Sequence, residues 1–120
     1  MSTGGFCYPG RLRVRSRADY DRIFQKGRRA GSSALLVVAL ENDLGYSRFA
    51  VSTGRKFGRA PVRNRARRLL REAFRLQRDA LPAGFDFIAV PRAPLFPDRL
   101  DQVAPLLLAQ AERAAAASRK

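Results

Sequence analysis

The chain has 120 residues, with 24 Lys and Arg against 10 Asp and Glu and a net charge of +14. This length fits one domain with a modest core, and a hydrophobic content of 46% excludes a disordered basic tail. Histidine is absent and Cys7 is the only cysteine, which removes the commonest general base, every Ser-His or Cys-His nucleophilic pair, an internal disulfide and a Cys/His zinc site.

Residues 1–10 are rich in Gly and read as a flexible N-terminal arm. A single domain is expected over 11–117, with 118–120 as a frayed basic end. No apolar stretch is long enough to span a bilayer or to serve as a secretory signal, so a cytoplasmic location is expected. In Arg11-Leu12-Arg13-Val14-Arg15-Ser16-Arg17 the cations alternate with other residues, so an extended chain puts them on one side. Ser16 suits an N-cap and Asp19 the first helical turn. Tyr20, Ile23 and Phe24 share a helical face, so a helix is expected over 17–26, stopped by Gly27.

Gly31-Ser32-Ser33 breaks the chain. Ala34 to Leu40 reads as an apolar strand, Glu41 to Gly45 as a hairpin loop, and Tyr46 to Thr53 as a second strand with one apolar and one more polar face. Gly54 and Gly58 bracket a basic loop, Arg55-Lys56-Phe57. Pro61 suits the first turn of a helix, and Val62, Ala66, Leu69, Leu70, Ala73 and Phe74 follow as an amphipathic stripe. Opposite lie Asn64, Arg67, Arg68, Arg71, Arg75 and Arg78, with Arg63 and Arg65 on the flanks. A solvated helix normally mixes signs so that neighbours pair. Here only Glu72 interrupts, as a local ion-pair partner, and the one-sign face calls for a polyanion. Phe85 to Val90 reads as a third strand, and Pro91, Pro94 and Pro97 mark a loop. A final helix is expected from about Asp98 to Ala117, with Leu100, Val103, Leu107, Ala111 and Ala114 inward and Pro105 kinking or restarting it. This order predicts an α+β fold, an α/β sandwich with a single mixed sheet and about three helices. The strands flanking the basic helix can pair in parallel through it.

The cations are 21 Arg and 3 Lys. Arg forks onto phosphate and stacks on bases, where Lys acts as a point charge. The glycine-bracketed loop, the helix N-terminus and the Arg and Asn side chains after it form a phosphate-docking surface. It is expected at Arg55, Lys56, Arg59, Arg63, Asn64, Arg65, Arg67, Arg68, Arg71 and Arg75. No Walker or G-x-G-x-x-G pattern is present, and the carboxylates are scattered, so neither a nucleotide cofactor nor a two-metal nuclease site is expected. The chain reads as a binding protein without catalytic residues of its own. A ribosomal or general structured-RNA-binding protein fits these residues, and so does an amphipathic protein whose Val62-to-Phe74 stripe lies among lipid headgroups.

Lys56-x-Gly58 followed by Arg63-Asn64-Arg65-x-Arg67-Arg68-Leu69-Leu70-Arg71-Glu72-x-Phe74 resembles the signature of the bacterial ribonuclease P protein subunit. Leu12, Tyr20-x-x-x-Phe24, Gly27, Arg48-Phe49-Ala50-Val51-Ser52 and the Phe85-to-Val90 segment fall in the same order, so the resemblance spans about residues 11–112. It implies a fold like domain 2 of ribosomal protein S5, with a left-handed crossover through the basic helix, against the general rule for such connections. It also implies a protein inactive alone, whose partners are ribonuclease P RNA and precursor tRNA and which needs neither membrane nor DNA. The RNA partner, using Mg²⁺, would remove the 5′ leader, with no cofactor bound by the protein itself. The resemblance assigns the basic helix and loop to the catalytic RNA. It assigns the leader to a cleft with Arg13, Tyr20, Phe24, Val38, Arg48 and Ser52. Val38 stands where the family often carries an aromatic, and Gly54-Arg55-Lys56 replaces a Ser and two lysines.

Overall fold

The Ser16 Oγ accepts the Asp19 N–H at 3.0 Å and opens helix α1, Arg17–Lys26. The computed structural model describes residues 13, 14 and 16–118. The expected arm at 1–10, together with Leu12, Arg11, Arg15 and residues 119–120, lies outside them. Arg17 already belongs to α1, so the alternating basic segment does not stay extended throughout. The helix stops at Gly27 for a packing reason. A Cβ there would lie 2.5 Å from the Ile23 carbonyl oxygen and 2.8 Å from the Val38 Cγ1.

Four strands follow as β1 (Arg28–Gly31), β2 (Leu35–Glu41), β3 (Arg48–Val51) and β4 (Phe85–Pro91). They form one mixed sheet in the order β1-β2-β4-β3. β1 pairs antiparallel with β2, β2 antiparallel with β4, and β3 parallel with β4. The expected hairpin at Glu41 to Gly45 is therefore a crossing loop, because β4 lies between β2 and β3. The tight hairpin lies one step earlier, where β1 turns into β2 through Ser32 and Ser33. The burial pattern explains the order. β2 and β4 are apolar along almost their whole length and take the centre, while the short, partly polar β1 and β3 form the flanks.

Helix α2 (Ala60–Leu76) connects β3 to β4, and helix α3 (Leu100–Ser118) closes the chain. The parallel pairing expected through the basic helix is present. α2 and α3 cover one face of the sheet, where Phe49 stacks on Phe74 with ring centres 4.6 Å apart. Leu70, Phe85, Phe87, Val103, Leu107 and Ala111 complete that core. α1 covers the other face, over Ile23, Val38, Ala50 and Ile88. α3 continues through Pro105 as one helix. The proline is the sixth residue, so it removes one bond near the helix start, while the Ala104 carbonyl accepts Gln77 Nε2 at 2.6 Å. Val62 departs from the expected stripe. It is 49% exposed in the first turn of α2, where it meets Gly58 and not the core.

Candidate RNA-binding surface

The basic helix starts where the sequence makes an uncapped, positively charged end. Arg59 takes the N-cap position without a side-chain bond, Pro61 follows in the first turn, and no acid lies there. Ahead of it, Arg55–Phe57 form a 3₁₀ turn, not an open loop. Phe57 pins that turn by meeting Phe96 edge-to-face at 5.9 Å. A Cβ on Gly58 would sit 3.1 Å from Val62 Cγ1, so the turn and the helix start are closely fitted. Arg55, Lys56 and Arg59 are consequently exposed on a fixed base.

Burial of Ala66, Leu70, Ala73 and Phe74 turns the charged side of α2 outward. Asn64, Arg68 and Arg71 are exposed and Arg67 half-buried, and none of these three arginines joins an ion pair among the described residues. Three other arginines expected in this group are placed differently. Arg65 donates to the Asp98 carbonyl at 2.8 Å and ties α2 to the loop before α3. Arg75 grips Glu72 with both ends of its guanidinium, and that bond holds the Glu72 carboxyl below its usual range. Arg63 is half-buried, with its Nε enclosed and unpartnered.

A cleft of about 190 Å³ opens where α1 and α2 approach each other around the outer side of β3. Arg13, Tyr20, Ala50, Val51 and Arg71 line it. The segment at Arg13 and Val14 lies parallel to β3 there, with the Val14 N–H on the Phe49 carbonyl at 3.2 Å. Burial raises the Tyr20 pKa, and the nearby Arg71 and Arg67 pull it back. Arg71, expected only on the basic face, thus also lines the cleft.

The remaining cleft candidates separate. Phe24 lies one turn along α1, with the Arg29 guanidinium 5.7 Å from its ring centre. Val38 is 0% exposed beneath α1, so it is core and offers no contact surface. Ser52 follows β3 half-exposed, its N–H bound to the Ala89 carbonyl at 2.9 Å. Arg48 is committed to Asp86, with Nε 2.8 Å from Oδ1 and Nη2 2.7 Å from Oδ2.

Asp86 is the residue that sequence reasoning passed over as one scattered acid. It is 0% exposed and also accepts from Arg22 at 3.0 Å and from Asn42 at 2.8 Å. Burial pushes its carboxyl up, but the bonds from Arg48, Asn42 and Arg22 outweigh that and hold it below its usual value. Asp19 closes the group, 3.3 Å from Arg22 and 3.8 Å from Arg48. The signal was legible: a lone acid inside the apolar run Phe85 to Val90 needs buried partners.

The family model described as Ribonuclease P matches residues 8–111. The chain belongs to the ribonuclease P protein family. It is 39% identical over 85 residues to the ribonuclease P protein component of Thermotoga maritima, covering 71% of this chain and 73% of that protein. It is 35% identical over 101 residues to that of Pelotomaculum thermopropionicum, covering 84% and 90%. The solved structure of the Thermotoga maritima RNase P protein superposes with a TM-score of 0.78 at 33% identity, over 84% of this chain and 96% of that one. A Staphylococcus aureus RNase P protein gives 0.72 at 25% identity, over 90% and 95%. Family membership carries the role of ribonuclease P protein subunit and its place in tRNA processing. The membrane-surface reading fails on packing, because the apolar stripe of α2 is buried against the sheet and α3. No helix among the described residues is long and apolar enough to cross a membrane.

Proposed function

We propose that the outer face of α2 and the 3₁₀ turn bind the catalytic RNA of ribonuclease P, and that the cleft at Tyr20 grips the 5′ leader of precursor tRNA. The observation that carries this reading is the continuity of the two sites through Arg71. A basic face suited to folded RNA runs into a cleft holding an aromatic ring, which suits unpaired nucleotides. Hydrolysis belongs to the RNA partner with its Mg²⁺. The carboxylates beside the cleft do not fit a metal site of the protein's own, since Asp86 and Asp19 are engaged by Arg22 and Arg48. The chain's contribution is to hold, orient and neutralise phosphates.

The test is precursor-tRNA cleavage at low Mg²⁺ by a bacterial ribonuclease P RNA, with and without this protein. Restored leader removal, with the protein alone inert, is the expected result. RNA binding without restored cleavage would favour a general RNA-binding protein. Tyr20→Ala should lower affinity for leader-bearing tRNA more than for mature tRNA, and an equal loss for both would refute the leader cleft.

A further inference from the structure

The Tyr20 cleft is not the sole cavity beside β3 among the described residues. That cleft takes Phe49, Ala50 and Val51 from β3 and Arg71 from α2. Three residues back along the β3 segment and seven residues on from Arg71 lies a second cavity, of about 340 Å³, lined by Tyr46, Arg78 and Asp79. Tyr46 lies just before β3 and Arg78 just after α2, so the second cavity sits at the ends of the two elements that line the first. The junction is fixed: the Ser47 hydroxyl donates to the Pro82 carbonyl at 2.7 Å and accepts the Phe85 N–H at 3.2 Å. Among the described residues Tyr46 stacks on no other ring, and neither Arg78 nor Asp79 forms an ion pair.

We propose that this cavity is a second subsite for the single-stranded leader, holding one unpaired nucleotide beyond those at Tyr20; the assignment rests on the leader-cleft reading above. Tyr46 supplies a stacking face, and Arg78 continues the line of cations from Arg67 and Arg71 along the phosphates. Asp79 accepts from the amino or imino edge of the base. The volume matches a small-molecule-sized ligand, and a base is planar enough to enter beside the tyrosine.

The test uses the complex reconstituted with a bacterial ribonuclease P RNA and two precursor tRNAs. One leader is short enough to occupy only the Tyr20 cleft, and the other is several nucleotides longer. The longer leader should bind more tightly. Tyr46→Ala should reduce the long-to-short affinity ratio roughly five-fold, the effect of losing one base stack. Arg78→Ala, at an exposed position outside any helix or strand, should reduce the same ratio without risk to folding. An abasic nucleotide moved along the long leader should reproduce the Tyr46→Ala loss at one position and add nothing in that variant. A ratio that survives both substitutions, while Tyr20→Ala still weakens both leaders, overturns the second subsite alone. If Tyr20→Ala and leader length both leave affinity unchanged, the leader cleft itself fails.

Discussion

Glu72 is the sole acid of α2, and it occupies Arg75. Six cations of the proposed surface, Arg55, Lys56, Arg59, Arg67, Arg68 and Arg71, form no ion pair among the described residues. Each phosphate contact contributes about 0.7–0.9 to the slope of log affinity against log salt, so six contacts give a slope of roughly −4 to −5. Glu72→Ala releases Arg75 to become a seventh contact. It should tighten RNA binding at low salt and steepen the slope by about 0.7–0.9. Folding is not at risk, since Ala favours the helix and a half-exposed i,i+3 pair within one helix contributes only a few tenths of a kcal/mol. Arg67→Ala should move the slope the other way by the same amount. Arg75→Ala should weaken binding by uncovering Glu72, yet leave the slope almost unchanged. Titrations of labelled ribonuclease P RNA at five salt concentrations separate these outcomes. An unchanged slope in both Glu72→Ala and Arg67→Ala would refute the assignment of this face to phosphate.

Asp86 titrates below the ordinary carboxylate range in the folded chain, so the unfolded chain takes up its proton first as pH falls. Stability from this group is present above about pH 4 and declines below it, and Asp86→Asn should lower the unfolding free energy at neutral pH by about 3 kcal/mol in a urea titration, while flattening the acid decline. Gly27→Ala should destabilise by about 2 kcal/mol or more in a urea titration, because the added Cβ meets backbone oxygens of α1 and β2 that cannot retreat. Phe57→Ala should cost about 1 kcal/mol and weaken RNA binding with little change in salt slope, because the cations remain but their turn is no longer anchored on Phe96.

The helices and the central strands were legible because their signals are local. Ser16, Gly27 and Pro61 mark ends, and the residues Ala66, Leu70, Ala73 and Phe74 repeat at helical spacing. Beyond the parallel pairing through α2, the strand order was not legible, because pairing between distant segments leaves no mark on either one. β4 enters between β2 and β3 from more than thirty residues beyond β3. β1 was hidden because Arg28-Arg29-Ala30-Gly31 carries one buried side chain and two charges. At the site, residue type identified which arginines are cationic but not which are already neutralised. Arg65, Arg75 and Arg48 carry the same chemistry as Arg67 and Arg71, and only the positions of Asp98, Glu72 and Asp86 distinguish them. Val38 shows the converse: the resemblance places it in the leader cleft, but the close seat of α1 permitted by Gly27 covers it.

That seat connects the buried acid to the cleft. α1 packs on the sheet through buried Ile23 and the partly buried Tyr20 and Phe24. The Arg22–Asp86 and Asp19–Arg48 contacts add to this, and they join residues from α1, β3 and β4. Two cations and two anions make the cluster neutral overall, in a chain whose net charge is +14. Arg22 and Arg48 are thereby withdrawn from phosphate binding and used to locate a helix. The helix they locate carries Tyr20, whose approach to Arg71 defines the cleft. In the proposed reading the two sets of cations divide the work: those left unpaired along α2 would attract RNA of any sequence, whereas those neutralised by Asp86 hold the aromatic ring where an unpaired base would meet it.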